Sequence, residues 1–543
     1  MLDGTGAPGR LADVRVEKGR IADIGAGLAG DREIDASGAV VSPGFIDIHT
    51  HYDAQVFWDP ALTPSCFHGV TTVVAGNCGF SIAPTREADR ETIARTLEKV
   101  EDMNPETLME GIPWDFETFP EYLASVERRG TLLNYAAYVG HTALRLFHMG
   151  MDAYERAATD AEVAAMAASV REAMEAGAVG LATSFAPTHV GVDGKPVCSR
   201  LAELSELEAM ASELSKLGRG VIEATLGKGF AFDEIYDFQQ RVGVPLTYTA
   251  LLAIPGLWQH GAKLHAEAVA RGTGVWPQIS CRAITLQTQL EEPFPFDQAQ
   301  CFAELHAGSR EARVLKYRDP AWRKRALAEL AKTPLPTRWE NFSLAESEVH
   351  AELVDRRLVD LADERGESPL DTMIALSLEE DLKTRFRYVQ ANDDEEGIAH
   401  LLQQEQMAMG LSDAGAHVGM LCDAPLPTDL LGNWVREREV ISLERAVHKL
   451  TGEPAGIFRF EDRGVLRPGA HADICVFDPQ HVGPGKLRRV RDFPAGADRL
   501  TADSPSGVRH VLVNGQSILE DGALRAHASD ALPGQRPRQL GFR

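Results

Sequence analysis

The sequence contains few cysteines, no long apolar run and fewer basic than acidic residues, and each deficit excludes a class of protein. The seven cysteines are scattered through 543 residues without a Cys-x-x-Cys pair, which argues against a disulfide scaffold and predicts a reducing, cytoplasmic location. No run reaches the ~18 apolar residues of a membrane span. No basic segment followed by an apolar one opens the chain as a signal peptide.

The charge balance limits the kinds of partner. The sequence has 55 basic and 80 acidic residues, for a formal net charge of -25. Nucleic acids and anionic membranes attract cationic surfaces, so we expect neither as a partner. Hydrophobic residues make up 44% and charged residues 25% of the chain, which is typical of a globular protein. The charge balance leaves a homo-oligomer open.

Eight short segments of small or β-branched residues are apolar on both faces and bounded by glycine or proline, which is typical of buried parallel strands. Their residue numbers are 45–49, 70–75, 133–139, 178–184, 220–225, 244–250, 275–280 and 407–412. Helical patterns separate them, most clearly at 158–176 and 201–217, with Thr159 and Ser199 as expected N-caps. This alternation predicts an α/β fold with a TIM-like (β/α)8 barrel.

The predicted barrel covers residues 41–460, which is longer than the ~250 residues of a typical barrel, and we expect an insertion at about 281–385. The two ends of the chain alternate apolar and polar residues around hairpin turns such as Lys18-Gly19, Asn514-Gly515 and Asp521-Gly522. They predict one small β-sandwich composed of residues 1–40 and 461–530. The sequence starts abruptly at Met1, where a preceding strand is expected.

Four residues at predicted strand ends carry metal-binding chemistry. His49 and His51 end the first strand, and residues i and i+2 of a strand face the same side. Cys78 follows the second strand between flexible glycines, and Asp413 follows the last. The carboxyl ends of barrel strands form the usual active-site face. Imidazole, thiolate and carboxylate groups are all ligands of divalent metals, and a carboxylate there can also act as a general base.

Each of these signals also has a simpler interpretation. Two histidines in a His-x-His pattern occur commonly without a metal, and a lone cysteine is more often a small buried apolar residue. An aspartate directly after a strand can be the N-cap of the next helix. Their common position at strand ends favours the metal interpretation.

The segments PGFIDIHTHYD, AGNCGF and GLSDAGAH, with the C-terminal LTGEPAGIFRFEDRGVLRPGAHADICVFDP, resemble the metal-dependent amidohydrolase superfamily. The resemblance is greatest to its D-aminoacylase, or N-acyl-D-amino-acid deacylase, group. It implies a zinc-dependent hydrolase of carbon–nitrogen bonds that acts on a small-molecule substrate, with a (β/α)8 barrel and a small β-sandwich. The matching motifs imply His49, His51, Cys78 and Asp413 as metal ligands, with Asp413 also the catalytic base.

The sequence departs from that family at the fifth and sixth strands. Family members have a histidine at the end of each, whereas residues 221–226 and 247–251 contain none. We therefore expect one ion, Zn²⁺ or another divalent metal, rather than two. Glu223 could replace a ligand, act as an acid or be neutral in place, and His141 and His189 are alternative ligands in the loops.

Substrate contacts are predicted at residues in or just after the strands, namely His141, Arg145, Glu223, Arg282 and His417. A guanidinium can bind a carboxylate with two hydrogen bonds, and Arg200 is a third arginine in such a position. A surface salt bridge is the alternative interpretation of each arginine. His141 or His417 could donate to the developing oxyanion.

Three functions follow from these residues. The first is deacylation of an N-acyl-D-amino acid by a metal-activated water. The second is hydrolysis of a cyclic amide, imide or lactone by the same superfamily chemistry. The third is a non-catalytic amidohydrolase homologue, an alternative suggested by the absence of histidines at the ends of the fifth and sixth strands.

Overall fold

The structure, a computed structural model, describes residues 1–333, 337–525 and 532–542. Its strands are numbered β1–β20 and its α-helices α1–α17 along the chain. The backbone divides into two units, one of Met1–Arg282 with Asp394–Arg543 and one of Ala283–Asp393. The insertion was predicted at about residues 281–385, close to the bounds of the smaller unit.

Eight parallel strands form the barrel of the larger unit. They are β4 (Phe45–Asp47), β5 (Val70–Ala75), β6 (Asn134–Gly140), β7 (Gly180–Ser184), β8 (Val221–Thr225), β9 (Leu246–Thr249), β10 (Val275–Ile279) and β14 (Ala408–Met409). The first and last strands meet beyond their ends, where the backbone N–H of His51 donates to the carbonyl oxygen of Ala414 at 2.7 Å. Each strand overlaps one of the eight predicted segments, and the predicted α/β barrel is confirmed.

The barrel strands are apolar on both faces because each face packs against a different layer. On β5, Val73 packs in the main core that includes the surrounding helices, whereas Val74 packs inside the barrel with Ile48 and Ala136. Successive side chains of a strand point to opposite faces, so both faces are buried. This double burial is why the segments read as continuous apolar runs in the sequence.

Helices connect the strands of the larger unit. They are α1 (Arg90–Glu101), α2 (Pro105–Gly111), α3 (Phe119–Arg129), α4 (His141–Met149), α5 (Asp160–Ala176), α6 (Leu204–Leu217), α7 (Phe232–Val242), α8 (Trp258–Ala270), α14 (Glu395–Gln403), α15 (Leu426–Asp429), α16 (Leu443–Leu450) and α17 (Gly452–Phe458). Thr159 caps α5 as predicted, in a capping box with Glu162. The predicted cap at Ser199 is wrong, because Glu203 precedes α6 and Ser199 donates instead to the Ser184 carbonyl oxygen at 2.8 Å.

Strands from both ends of the chain share one antiparallel sheet. Its order is β20 (Ala523–Leu524), β19 (Gln516–Glu520), β18 (Val508–Val513), β15 (Ile474–Phe477) and β3 (Val40–Pro43). The hairpin of β1 (Asp13–Glu17) and β2 (Arg20–Gly25) packs on it through Ile21, Ile474 and Val476. A second hairpin comprises β16 (Arg488–Val490) and β17 (Arg499–Thr501). Both termini therefore contribute to one small β structure, as predicted.

The smaller unit has a core of its own. Its antiparallel sheet has the order β11 (Ile284–Gln289), β13 (Arg385–Ala391) and β12 (Phe342–Glu346). Its helices are α9 (Gln300–Ala303), α10 (Arg310–Arg318), α11 (Pro320–Leu330), α12 (Leu358–Arg365) and α13 (Pro369–Glu379). Aromatic rings fill its interior, and those of Phe342 and Tyr388 stack with centroids 5.0 Å apart. Within the described ranges of the whole chain, every helix is too short or too polar to cross a bilayer.

Candidate metal centre

Two imidazoles converge directly after the first barrel strand. His49 and His51 are both buried, and their Nε2 atoms lie 3.3 Å apart. Each Nε2 atom also lies 3.2 Å from Oδ1 of Asp413. The alternation of the extended chain places both side chains on one side of β4, so both present the same nitrogen to the barrel mouth.

Cys78 completes this group from a tight turn after β5. Cys78 has a left-handed φ of 56°, and the turn begins at Gly76 with a φ of 80°. A Cβ at Gly76 would lie 2.5 Å from the Tyr138 carbonyl oxygen, so only glycine fits this approach. The turn brings Sγ of Cys78 to 3.6 Å from Nε2 of His49. One donor atom from each of His49, His51 and Cys78 lies within 4.8 Å of the other two.

Asp413 approaches the same point from the loop after β14. Its φ is 51°, in the sparsely populated left-handed region, and strain of this kind is often found at functional sites. The preceding Ser412 holds the loop by donating to Asp47 at 2.6 Å. Burial opposes ionisation of Asp413, but hydrogen bonds from His49 and His51 outweigh it and hold its pKa well below the usual value.

A buried glutamine fixes the orientation of the His49 ring. Nδ1 of His49 lies 2.7 Å from Oε1 of Gln278, which is fully buried on β10. The amide nitrogen of Gln278 donates to the Thr247 hydroxyl at 3.4 Å, so its oxygen faces the imidazole. Because Nδ1–H of His49 then donates to Gln278, Nε2 is the ring nitrogen that faces Cys78 and Asp413 and that a cation could use.

Glu223 lies beside the cysteine turn and supports it. The backbone N–H of Cys78 donates to Oε2 of Glu223 at 2.7 Å, and the Thr249 hydroxyl donates to Oε1 at 2.8 Å. Glu223 is 0% exposed, and burial raises its pKa. Both carboxyl oxygens are therefore engaged within the protein, and the predicted contact of Glu223 with a substrate has no support in this geometry.

Glu101 is a buried carboxyl group that the sequence did not reveal. It is the last residue of α1 and is 2% exposed. Its Oε1 lies 3.5 Å from Nδ1 of His51, and its Oε2 lies 3.6 Å from Nε2 of His417. Burial, and next the negative charge of Asp413, raise the pKa of Glu101 well above its usual value. Nothing in the local sequence distinguishes it from other helical glutamates.

The charges of these groups fit a bound divalent cation. Burial, and next the charge of Glu223, raise the pKa of the Cys78 thiol well above its usual value. A coordinated cation removes the proton of such a thiol and stabilises the thiolate. Two imidazole nitrogens, a sulfur and a carboxylate oxygen form a donor set that suits tetrahedral zinc.

His141 and Arg145, which were predicted to contact substrate, belong instead to a buried network with Glu206. One terminal nitrogen of Arg145 donates to both carboxylate oxygens of Glu206, at 2.7 and 2.6 Å, and Arg145 is 0% exposed. His141 places Nε2 at 2.8 Å from Glu206 and Nδ1 at 2.8 Å from Thr183. These contacts occupy both ring nitrogens and leave the predicted substrate roles of the two residues without support.

Arg282 and His417 differ in what surrounds them. Arg282 donates to Asp423 at 2.7 Å and lies 3.3 Å from Asp429, so its predicted role as a substrate anchor also has no support. His417 keeps 26% of its side chain exposed beside Glu101. It remains a candidate for substrate contact.

Arg200 and His189 lie in the loop after β7. Nδ1 of His189 is 2.6 Å from the Ser184 hydroxyl, and its ring centroid is 5.0 Å from that of Phe80. Burial lowers the pKa of His189 to about 3. One nitrogen of Arg200 donates to the carbonyl oxygens of Pro187 and His189, each at 3.2 Å. In the described part of the chain, Arg200 has no carboxylate partner.

A parallel barrel that carries nitrogen, sulfur and oxygen donors at its strand ends is the architecture of a metal-dependent hydrolase. Residues 32–519 match the amidohydrolase family, and the chain belongs to that family.

Characterised relatives match over almost the whole length. N-acyl-D-aspartate deacylase of Alcaligenes xylosoxydans xylosoxydans is 30% identical over 538 residues, covering 95% of this chain and 90% of that protein. A solved D-aminoacylase with a binuclear metal center has a TM-score of 0.67 at 26% identity, covering 99% and 98% of the two chains. N-acyl-D-glutamate deacylase from Bordetella bronchiseptica, solved with zinc and a phosphonate mimic of the tetrahedral intermediate, has a TM-score of 0.66 at 28% identity, covering 98% and 97%.

Proposed function

We propose that the protein is a zinc-dependent deacylase that hydrolyses the amide bond of an N-acyl-D-amino acid. The main support is that one donor atom from each of His49, His51 and Cys78 lies within 4.8 Å of the others at the carboxyl end of the barrel. The full-length relatives named D-aminoacylase and N-acyl-D-aspartate deacylase support the reaction and substrate class. The relatives solved with zinc or a binuclear center support a metal requirement.

The ligands support one ion rather than two. His49, His51, Cys78 and Asp413 would hold it, and Zn²⁺ is the metal that this donor set favours. Strands β8 and β9 end in Thr225 and Thr249, where a second ion would need histidines. Glu223 could not easily replace them, because both of its oxygens accept hydrogen bonds from Cys78 and Thr249.

The bound ion would lower the pKa of a water molecule and polarise the scissile carbonyl. Asp413 is the base in this proposal. Its side chain is 20% exposed, and as a carboxylate at the edge of the site it would accept a proton from the attacking water. The same carboxyl group then returns the proton to the leaving nitrogen. His417, at the edge of the site, would donate to the oxygen on which negative charge develops.

The substrate carboxylate needs a cation in a chain of net charge -25. Arg145 and Arg282 are already bound to buried carboxylates, whereas the bonds of Arg200 are to main-chain carbonyl oxygens. We therefore assign the carboxylate to Arg200. All seven cysteines are buried free thiols, which supports a cytoplasmic location for this small-molecule reaction.

The experiment measures metal content and hydrolysis together. Wild-type protein should bind about one zinc per chain and cleave N-acetyl-D-amino acids, whereas His51→Ala should lose both properties. His260→Ala, at an exposed histidine, is the control. Cleavage of a hydantoin or lactam panel without cleavage of N-acyl-amino acids would support the cyclic-substrate alternative. Equal metal content in wild type and His51→Ala, without hydrolysis, would support a non-catalytic homologue.

A further inference from the structure

We propose that Glu101 is a positioning residue that fixes the His51 ring for metal binding and holds the loop of His417 beside it. The inference rests on the proposed metal site but concerns a residue on helix α1, outside the family motifs. Glu101 reaches the site from the end of a helix, whereas the proposed ligands come from strand ends.

The first observation is the position of the carboxyl group behind His51. Oε1 of Glu101 lies 3.5 Å from Nδ1 of His51, on the side of the ring opposite the Nε2 atom that faces Asp413. Within the described residues this buried Nδ1 forms no hydrogen bond, so the Glu101 carboxyl group lies at the edge of hydrogen-bonding distance from a nitrogen that lacks an acceptor. Glu101 thus corresponds to Gln278 behind His49, and together the two residues direct both Nε2 atoms to one point.

The second observation is that Glu101 contacts the loop that carries Asp413. The backbone N–H of His417 donates to the Glu101 carbonyl oxygen at 2.6 Å, and Nε2 of His417 lies 3.6 Å from Oε2. His417 has a left-handed φ of 50°, so the loop needs external contacts to keep this shape. The main chain of Glu101 therefore anchors the loop after the last strand, and its side chain lies between His417 of that loop and the first-strand residue His51.

The third observation is the cost of burying this group. Glu101 is 2% exposed, and in the described part of the chain it forms no ion pair with arginine or lysine. An unpaired buried carboxyl group lowers stability, and an apolar residue of similar volume is often neutral or stabilising in its place. A carboxyl group in this position is explained by the imidazoles that it orients.

The test compares Glu101→Leu with Glu101→Gln. Zinc affinity is measured by competition with a chelator, and the Cys78 thiolate bond is followed by the charge-transfer absorption of the Co²⁺-loaded protein. Glu101→Leu should weaken zinc binding by about 10- to 100-fold, while the melting temperature of the metal-free protein stays equal or rises. Glu101→Gln should recover most of the affinity, since its amide oxygen can accept from Nδ1 of His51.

Glu110→Gln, at an exposed position of α2, is the matched control and should leave zinc affinity unchanged. Glu101→Asp is a second variant, because it keeps the charge but withdraws the oxygens from His51, and it should also weaken zinc binding. Wild-type affinity in the Leu or Asp variant would overturn the proposal, as would a Gln variant as weak as Leu. Wild-type protein that binds zinc but cleaves no N-acyl-amino acid would contradict the proposed function alone. Wild-type protein that binds neither Zn²⁺ nor Co²⁺ would contradict both the proposed function and the role of Glu101.

Discussion

Oε1 of Gln278 accepts a hydrogen bond from Nδ1 of His49 at 2.7 Å, and this contact sets the tautomer of a proposed metal ligand. We expect Gln278→Leu to weaken zinc binding by about 10- to 100-fold, because the imidazole loses the acceptor that orients it. Gln278→Glu should preserve the affinity, since a carboxylate also accepts from Nδ1. Chelator competition measures both variants. Unchanged affinity in Gln278→Leu would show that the barrel alone orients His49.

Asp413→Asn separates proton transfer from metal binding. The amide cannot take a proton from the attacking water, so kcat should fall by about 100- to 10,000-fold. Asparagine keeps a side-chain oxygen at this position, and His49, His51 and Cys78 are unchanged, so zinc should stay bound, whereas His51→Ala removes a donor outright. Metal analysis and steady-state kinetics check the two expectations, with Asp233→Asn at an exposed position as the control. A variant that keeps full kcat would exclude Asp413 as the base.

Arg200→Gln tests how the substrate carboxylate is held. We expect KM for an N-acyl-D-amino acid to rise by about 10-fold or more, as a charge-assisted hydrogen bond contributes about 1.5–3 kcal/mol, with little change for the corresponding carboxamide. Arg129→Gln, an exposed arginine on α3, should change neither value. An equal loss on both substrates would mean that Arg200 shapes the loop of His189 rather than binding a carboxylate.

The buried side chain of His68 should make the folded protein less stable in acid. It is fully buried between the Thr428 hydroxyl at 2.8 Å and the Ala502 carbonyl oxygen at 2.6 Å, and burial lowers its pKa from 6.5 to about 4. The unfolded chain binds a proton more readily than the folded one, so stability is full above pH 6.5 and falls towards pH 4. At pH 4.5 the loss from this residue should be about 2 to 3 kcal/mol relative to pH 7.5.

Urea unfolding at pH 7.5, 5.5 and 4.5 measures this effect. His68→Gln should be less stable at pH 7.5 but should lose less stability between pH 7.5 and 4.5 than the wild type. His260→Gln, at an exposed histidine, should follow the wild-type profile. Parallel profiles for wild type and His68→Gln would mean that other groups cause the acid loss.

The barrel could be predicted because its strands are buried on both faces, which leaves a continuous apolar run such as residues 70–75 in the sequence. Residues in short motifs, such as His49 and Cys78, could be placed at strand ends for the same reason. Glu101 could not, because its burial is set by the fold and its local sequence is that of an ordinary helix end. Gln278 is polar within an apolar strand and could have been noticed, but its partner is 229 residues away.

For the arginines, the sequence predicted substrate contacts that the structure does not support. A position after a barrel strand suggested Arg145 and Arg282 as substrate anchors, and the sequence does not reveal that Glu206, Asp423 and Asp429 fold against them. Both a free guanidinium and a paired one have the same local sequence signal. Only the three-dimensional neighbours distinguish them.

The pairing of β3 with β15 has a consequence for synthesis on the ribosome. Val40–Pro43 can pair only after Ile474–Phe477 has been synthesised, about 430 residues later. At a translation rate of about 5–20 residues per second, this takes about 20 to 90 s. His49 and His51 emerge early and Asp413 emerges late, so the nascent chain lacks the complete set of proposed ligands until most of the protein has been translated. Metal binding by all four proposed ligands is therefore expected only late in translation or after it.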